Sequence, residues 1–148
     1  MTRQQLLDFL RSQKLAVLCS VGPEGAPQAA VVGYAVSDQL EIVFDTTADT
    51  RKARNIRADP RVALVIGGLA AGDERTVQYE GIADQPAGAE LERARELYFA
   101  VYPDGRERLA SWPGLIHVRV RPLWIRYSDF DRDPPEIVEL SGPELRTA

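Results

Sequence analysis

The stretch Phe44-Asp45-Thr46-Thr47-Ala48-Asp49-Thr50-Arg51-Lys52-Ala53-Arg54-Asn55 leads from an alternating apolar segment straight into a basic, helix-forming one. Leu40, Ile42 and Phe44 alternate with Glu41, Val43 and Asp45, the period of two that marks a strand. Thr46 to Ala58 is rich in helix formers, with Asp49 or Thr50 placed to cap a helix and Pro60 placed to end it. Thr46, Thr47 and Thr50 offer hydroxyls, and Arg51, Lys52, Arg54 and Arg57 concentrate positive charge in a chain whose net charge is -4. Free N–H groups at a helix start, hydroxyl donors and a nearby Lys or Arg suit an anionic phosphate. The same residues also suit a solvated helix whose cations offset Asp45, Asp49 and Asp59. The stretch carries the glycines of neither a dinucleotide fingerprint nor a P-loop.

Toward the N-terminus, Thr2 and Gln5 match a capping box, and Leu6, Leu7 and Leu10 follow at helical spacing, which predicts a short amphipathic helix over 3–12. In Leu15 to Val21 the period changes to two: Leu15, Val17, Cys19 and Val21 share one face, and Ala16, Leu18 and Ser20 the other. Gly22-Pro23-Glu24-Gly25 forms a turn, Gln28 to Val36 a second strand, and Ser37-Asp38-Gln39 the next reversal. With the Leu40 segment these strands predict an antiparallel meander.

Toward the C-terminus, Arg61 to Ile66 and Arg75 to Ala83 are expected strands around a turn over Gly67 to Glu74. Glu90 to Val101 and Asp104 to Trp112 are expected helices, and Leu115 to Tyr127 is the last extended segment. Pro122 cannot donate to a ladder and is therefore expected at an edge, a bulge or a break. The predicted fold is mainly β with short helices: a six-stranded antiparallel barrel, closed or nearly so, because closure removes exposed sheet edges. Residues 1–128 form its single domain. Residues 129–148, acidic and carrying Pro134-Pro135 and Gly142-Pro143, are expected to be a surface strap with a disordered end rather than a separate domain.

At 148 residues the chain suits one domain. Its acidic balance argues against a nucleic-acid partner, though not against a local anion site. Cys19 is the lone cysteine, which excludes an intramolecular disulfide and a thiolate metal cluster, and its apolar setting predicts a small buried side chain. With His117 the sole histidine, a conventional zinc site is not expected. His117 suits a structural or surface role such as a carbonyl hydrogen bond, or a contact to substrate or cofactor. The acids from Asp129 to Glu139 are interrupted by Arg132 and two prolines, and no metal is expected there. Polar residues from Thr2 to Gln5 open the chain, and no run approaches the roughly 18 apolar residues of a membrane span, so no membrane partner and a cytoplasmic location are expected.

Taken together, the order of segments resembles the pyridoxamine 5'-phosphate oxidase-like family, the FMN-binding split barrels. The residues that carry it are Leu15-Ala16-Val17-Leu18, Gly25-Ala26-Pro27-Gln28, the Phe44, Thr46, Thr50, Lys52, Asn55 series, Asp59-Pro60-Arg61-Val62, Gly81, and Val118 to Tyr127 with Trp124. The resemblance covers roughly residues 3 to 128. It implies a homodimer with cofactor sites at the interface, holding FMN or, in some branches, a deazaflavin or haem. By it, Ala30, Val31 and Val32 line the flavin edge, Asp45, Thr46 and Thr47 lie beneath the ring and ribityl chain, and Thr50, Arg51 and Lys52 take the phosphate. Trp124 approaches from the other subunit.

One position departs from the family. Members that oxidise pyridoxamine phosphate carry a basic residue in the second strand, which here reads Gln28-Ala29-Ala30-Val31-Val32-Gly33-Tyr34. Arg51 is the candidate substitute, since its planar guanidinium can pair two phosphate oxygens. The C-terminal Arg and His arrangement for that substrate is not recognisable, which disfavours pyridoxamine phosphate oxidation. The implied activity is a flavin-dependent oxidoreductase passing hydride or electrons between reduced FMN and a small organic substrate, with a nicotinamide as a possible donor. The rival readings are a non-enzymatic flavin, deazaflavin or haem binder, a deazaflavin-dependent reductase, and a structural barrel with an empty site.

Overall fold

The computed structural model describes residues 1–146. Helix α1 spans Arg3–Ser12 and begins as its sequence dictates: Thr2 Oγ1 accepts from Gln5 N at 3.1 Å, while Gln5 Oε1 accepts from Thr2 N at 2.8 Å. This reciprocal cap satisfies two orphan donors and is worth about 1 kcal/mol. The stripe it orients, Leu6, Leu7, Phe9 and Leu10, is buried in the main core.

Eight strands are present among the described residues: β1 (Leu15–Val21), β2 (Pro27–Gly33), β3 (Ala35–Val36), β4 (Ile42–Thr47), β5 (Arg61–Gly67), β6 (Arg75–Asp84), β7 (Leu115–Asp129) and β8 (Glu136–Ser141). Helices α2 (Arg51–Ala58), α3 (Gly88–Val101) and α4 (Gly105–Ser111) lie between β4 and β5 and between β6 and β7. The sheet runs β2-β1-β5-β6-β7-β4-β3 with every pairing antiparallel, and β8 adds to β7. The predicted split barrel is the fold found, with eight strands in place of six.

The additional strands have two origins. The expected second strand breaks at Tyr34, whose ring is buried and whose hydroxyl donates to Leu10 O at 2.5 Å, so Ala35–Val36 leaves β2 and pairs with β4 instead. The expected strap is partly a strand: β8 pairs with β7 from Glu136 opposite Asp129 to Ser141 opposite Trp124, and Leu145 beyond it is buried in the main core. The expected disorder at the extreme C-terminus falls on 147–148, outside the described residues.

The meander is corrected as well. The β1/β2 and β3/β4 hairpins stand at opposite ends of the strand order, because β4 pairs along its length with β7, from Ile42 opposite Val120 to Thr47 opposite Leu115. Leu40 belongs to the preceding turn at φ 62 rather than to a strand. Pro122 meets its expected irregularity: Gly81 pairs with Pro122 and Glu80 with Trp124, so Leu123 is the extra residue of a β-bulge.

Alternation then assigns the faces. Ala16, Leu18 and Ser20 of β1 point to the core with Val32, Phe44, Leu64, Tyr79 and Val120. Leu15, Val17, Cys19 and Val21 point outward, so Cys19 is half-buried rather than buried. Strand β4 is covered on both faces. Phe44 enters the main core, and Val43 enters a second one formed with Ala35, Ala94, Tyr98 and Phe99 beneath α3.

Candidate functional site

Strand β4 delivers its residues to two different places, and that division organises the site. Thr46 points inward, and its Oγ1 lies 3.0 Å from Thr50 Oγ1. Thr50 is the N-cap of α2, accepting from Ala53 N at 3.3 Å and donating to Thr47 O at 3.0 Å. Of the two expected caps, Thr50 rather than Asp49 is the one used, and the helix begins at Arg51. Since Thr50 spends its one proton on Thr47 O, the Thr46 hydroxyl is the donor in their pair. Thr47 Oγ1 donates to Asp49 Oδ1 at 2.7 Å, a bond that holds the Asp49 carboxyl below its usual range. All three hydroxyls foreseen as ligand donors are thus committed to shaping the turn.

The donors left at this turn are the Arg51 and Lys52 side chains and their two backbone N–H groups, since the third N–H of α2, that of Ala53, is taken by the Thr50 cap. They face β2 across a pocket of about 210 Å³, where Arg51 and Lys52 meet Gln28 and Ala30 of β2 and Leu18 and Ser20 of β1. A larger groove of about 1010 Å³ continues from it past Gln28, Arg51 and Asn55 to the Gly22–Ala26 turn. Asn55 ties the two walls together, with its Nδ2 donating to Ser20 Oγ at 3.1 Å and to Gln28 Oε1 at 2.8 Å.

Of the residues foreseen for the site, Ala30, Arg51 and Lys52 come together in this pocket, and Thr46, Thr47 and Thr50 build the turn beside it. Val32 is buried in the main core, and Val31 is 62% exposed on the outer face of the sheet. Trp124 lies half-buried on β7 between Glu80 of β6 and Ser141 of β8, away from the pocket of its own chain.

Asp45 is on the opposite face of β4 from Thr46. It accepts from the Tyr98 hydroxyl at 3.1 Å and pairs with Arg108 at 3.2 Å. Burial and the Asp45 charge both push the Tyr98 phenol above its ordinary range. His117, the cross-strand partner of Asp45, is 2% exposed with Tyr98 and Phe99 packed against it in T-shaped contacts, and neither ring nitrogen has a hydrogen-bond partner among the described residues. The expected carbonyl bond is not made. Burial lowers its pKa, opposed by Asp45 and reinforced by Arg95 and Arg108.

Sequence reasoning named Tyr98 only as one of five tyrosines that could line an interface or pocket. It singled out neither Gln28 as a site residue nor Arg108 as the partner of Asp45. The available signal for Gln28 was strand alternation, which puts it on the same face as Ala30. No group of three or more His, Cys, Asp or Glu is arranged to hold a metal ion among the described residues. No helix there is long and apolar enough to cross a membrane.

A family model described as pyridoxamine 5'-phosphate oxidase matches residues 2–128. The chain belongs to that family. A pyridoxine/pyridoxamine 5'-phosphate oxidase from Rubrobacter xylanophilus is 39% identical over 98 residues, covering 65% of this chain and 41% of the relative. The chain spans about half the length of the curated relatives it matches. Among solved structures, a haem binding protein from Mycobacterium smegmatis superposes with a TM-score of 0.82 at 18% identity, covering 98% of this chain and 60% of that one. A conserved hypothetical protein from Mycobacterium tuberculosis gives 0.75 at 26% identity, covering 97% and 94%.

Proposed function

We propose that this member of the family is a flavin-dependent oxidoreductase that holds FMN between β2 and the start of α2, in a homodimer, and exchanges hydride or electrons with a small organic substrate. The observation that carries this reading is the pocket joining Ala30 and Gln28 to Arg51 and Lys52. A phosphate dianion needs fixed cations and N–H donors, and these residues fit one. Lys52 is half-buried and supplies a point charge; Arg51 is exposed and can swing its guanidinium onto two oxygens.

Bound there, FMN would supply the hydride chemistry. The chain's own part is to anchor and orient. The Thr46–Thr50 bond and the Asn55 link hold the turn and the helix in register with β2. The apolar outer face of β1 and β2, with Leu15 53% and Val31 62% exposed, supports a subunit contact through which Trp124 would meet the partner's site. Haem is the second reading, prompted by the fold neighbour's name, but His117 is buried on β7 against Tyr98 and Phe99, outside the lining of the groove, and offers no axial ligand there. A deazaflavin would use the same phosphate donors.

A visible absorption spectrum of gently purified protein, followed by titration with FMN, a deazaflavin and haem, tests the cofactor. A flavin spectrum, or saturable FMN binding, is expected. Protein that stays colourless and binds none of the three defeats the reading. Reduction of the bound flavin by a nicotinamide donor and reoxidation by an organic acceptor would distinguish an enzyme from a passive binder.

A further inference from the structure

Strand β2 turns Gln28 and Ala30 toward the start of α2, and of the two only Gln28 carries polar side-chain atoms. Gln28 stands where the small pocket opens into the larger groove and lines both, as Arg51 does. Its orientation is imposed from behind. The buried Asn55 amide gives one hydrogen bond to Ser20 Oγ at 3.1 Å and one to Gln28 Oε1 at 2.8 Å. With its oxygen engaged, the Gln28 amide has its NH2 group left to offer, and no protein group among the described residues accepts from it.

We propose that Gln28 is a specificity-determining ligand residue, donating its amide N–H to the phosphate of the bound cofactor and so replacing with a neutral donor the cation that this strand lacks. The inference rests on the cofactor reading above and adds what it leaves open, namely how a strand with alanine at position 30 contributes to an anion site. Arg51 and Lys52 approach the anion from the helix side only. Gln28 closes the opposite side and favours the phosphorylated ligand over the same ligand without phosphate. Asn55 acts through Gln28 and is a positioning residue.

The test compares FMN with riboflavin, which lacks the phosphate, by fluorescence titration of wild-type protein, Gln28→Glu and Gln28→Met at one ionic strength. A glutamate can still accept from Asn55, so Gln28→Glu keeps the bond behind the site while removing the donor and adding a like charge against the phosphate. Its FMN affinity is expected to fall about tenfold or more, while riboflavin affinity and the melting temperature hold. Gln28→Met, similar in volume and without polar atoms, is expected to weaken FMN by a smaller factor and again to spare riboflavin. Wild-type protein that binds FMN alongside variants with unchanged FMN affinity, or variants that weaken both ligands equally, overturns the role of Gln28 alone. Wild-type protein that binds neither flavin overturns the cofactor reading and this inference with it.

Discussion

Arg108 reaches from α4 to pair with Asp45 of β4 at 3.2 Å, fastening the helical cap to the strand whose next residue, Thr46, braces the start of α2. Both side chains are largely covered, at 21% and 12% exposure, so the pair is not a screened surface contact. Removing Arg108 leaves the Asp45 carboxylate with the Tyr98 hydroxyl as its one side-chain donor among the described residues. Arg108→Ala is expected to lower stability by about 2 kcal/mol, read as a reduced midpoint in denaturant at unchanged slope. Loss of near 0 kcal/mol would show that water serves Asp45 as well as Arg108 does.

His117 sits on the same face as Asp45 and makes stability depend on pH. Its folded pKa is lowered, first by burial, while the unfolded chain has the ordinary value of about 6.5. As pH falls through that value, the unfolded chain takes up a proton that the folded protein refuses. Stability is therefore full above it and declines on the acid side until the folded pKa is reached. His117→Phe, which keeps a ring between Tyr98 and Phe99, is expected to flatten this segment of the curve, measured as melting temperature against pH. An unchanged slope in the variant would assign the dependence to other groups.

Lys52 carries the anion reading in its simplest form. Lys52→Ala is expected to weaken FMN about tenfold or more, consistent with the loss of one charge-assisted contact, and to leave riboflavin binding nearly unchanged. Far-UV circular dichroism should be that of the wild type, because Thr50 caps α2 without the lysine. Equal affinity for FMN in variant and wild type would remove Lys52 from the site.

The parts of this molecule that were legible in the sequence are those decided by neighbours in the chain. Thr2 and Gln5 set the start of α1 unaided, and the alternation of Leu15 to Val21 gives β1 with its bounds. What was hidden depends on distant partners. Nothing in Gly33-Tyr34-Ala35 announces a break, because the cause is the Tyr34 hydroxyl finding Leu10 O. Glu136 to Ser141 lies next to Pro134 and Pro135 and has one half-covered face, so its pairing with β7 was masked by turn signals. At the site, the basic cluster and the helix start could be read locally. The threonine hydroxyls looked free in the sequence, and only the closed turn shows Thr46 and Thr50 bonded to each other, Thr50 to the backbone and Thr47 to Asp49.

Gly81 marks the bulge at Leu123 and leaves no room for a side chain. A Cβ there would lie 2.5 Å from Arg121 O and 2.7 Å from Val120 Cγ1. Because the first of these is backbone, relief requires β6 and β7 to separate where their register shifts. Gly81→Ala is expected to destabilise by about 2 to 3 kcal/mol, seen in thermal or urea unfolding. A variant as stable as the wild type would mean that the bulge can slide to admit the methyl group.

The outer face of β2, β1 and β5 carries the expectation of a dimer. Register places Val31 opposite Val17 and Val17 opposite Val65, a row of β-branched side chains across three neighbouring strands. Ala29, Cys19 and Ala63 form the adjacent row, and Val31 and Val65 are 62% and 40% exposed. An apolar strip of this kind on a face away from the core is suited to a second copy of the same strip, since a two-fold axis brings each patch onto itself. Val31→Lys combined with Val65→Lys places charges in that strip without touching the core, so folding should survive while association does not. Light scattering coupled to gel filtration is expected to show a dimer for the wild type and a monomer for the double variant. FMN affinity should fall with the dimer if the partner completes the site through Trp124. A wild-type monomer that binds FMN would place the whole site within one chain, whereas a monomeric variant with full FMN affinity would keep the dimer but remove its partner from cofactor binding.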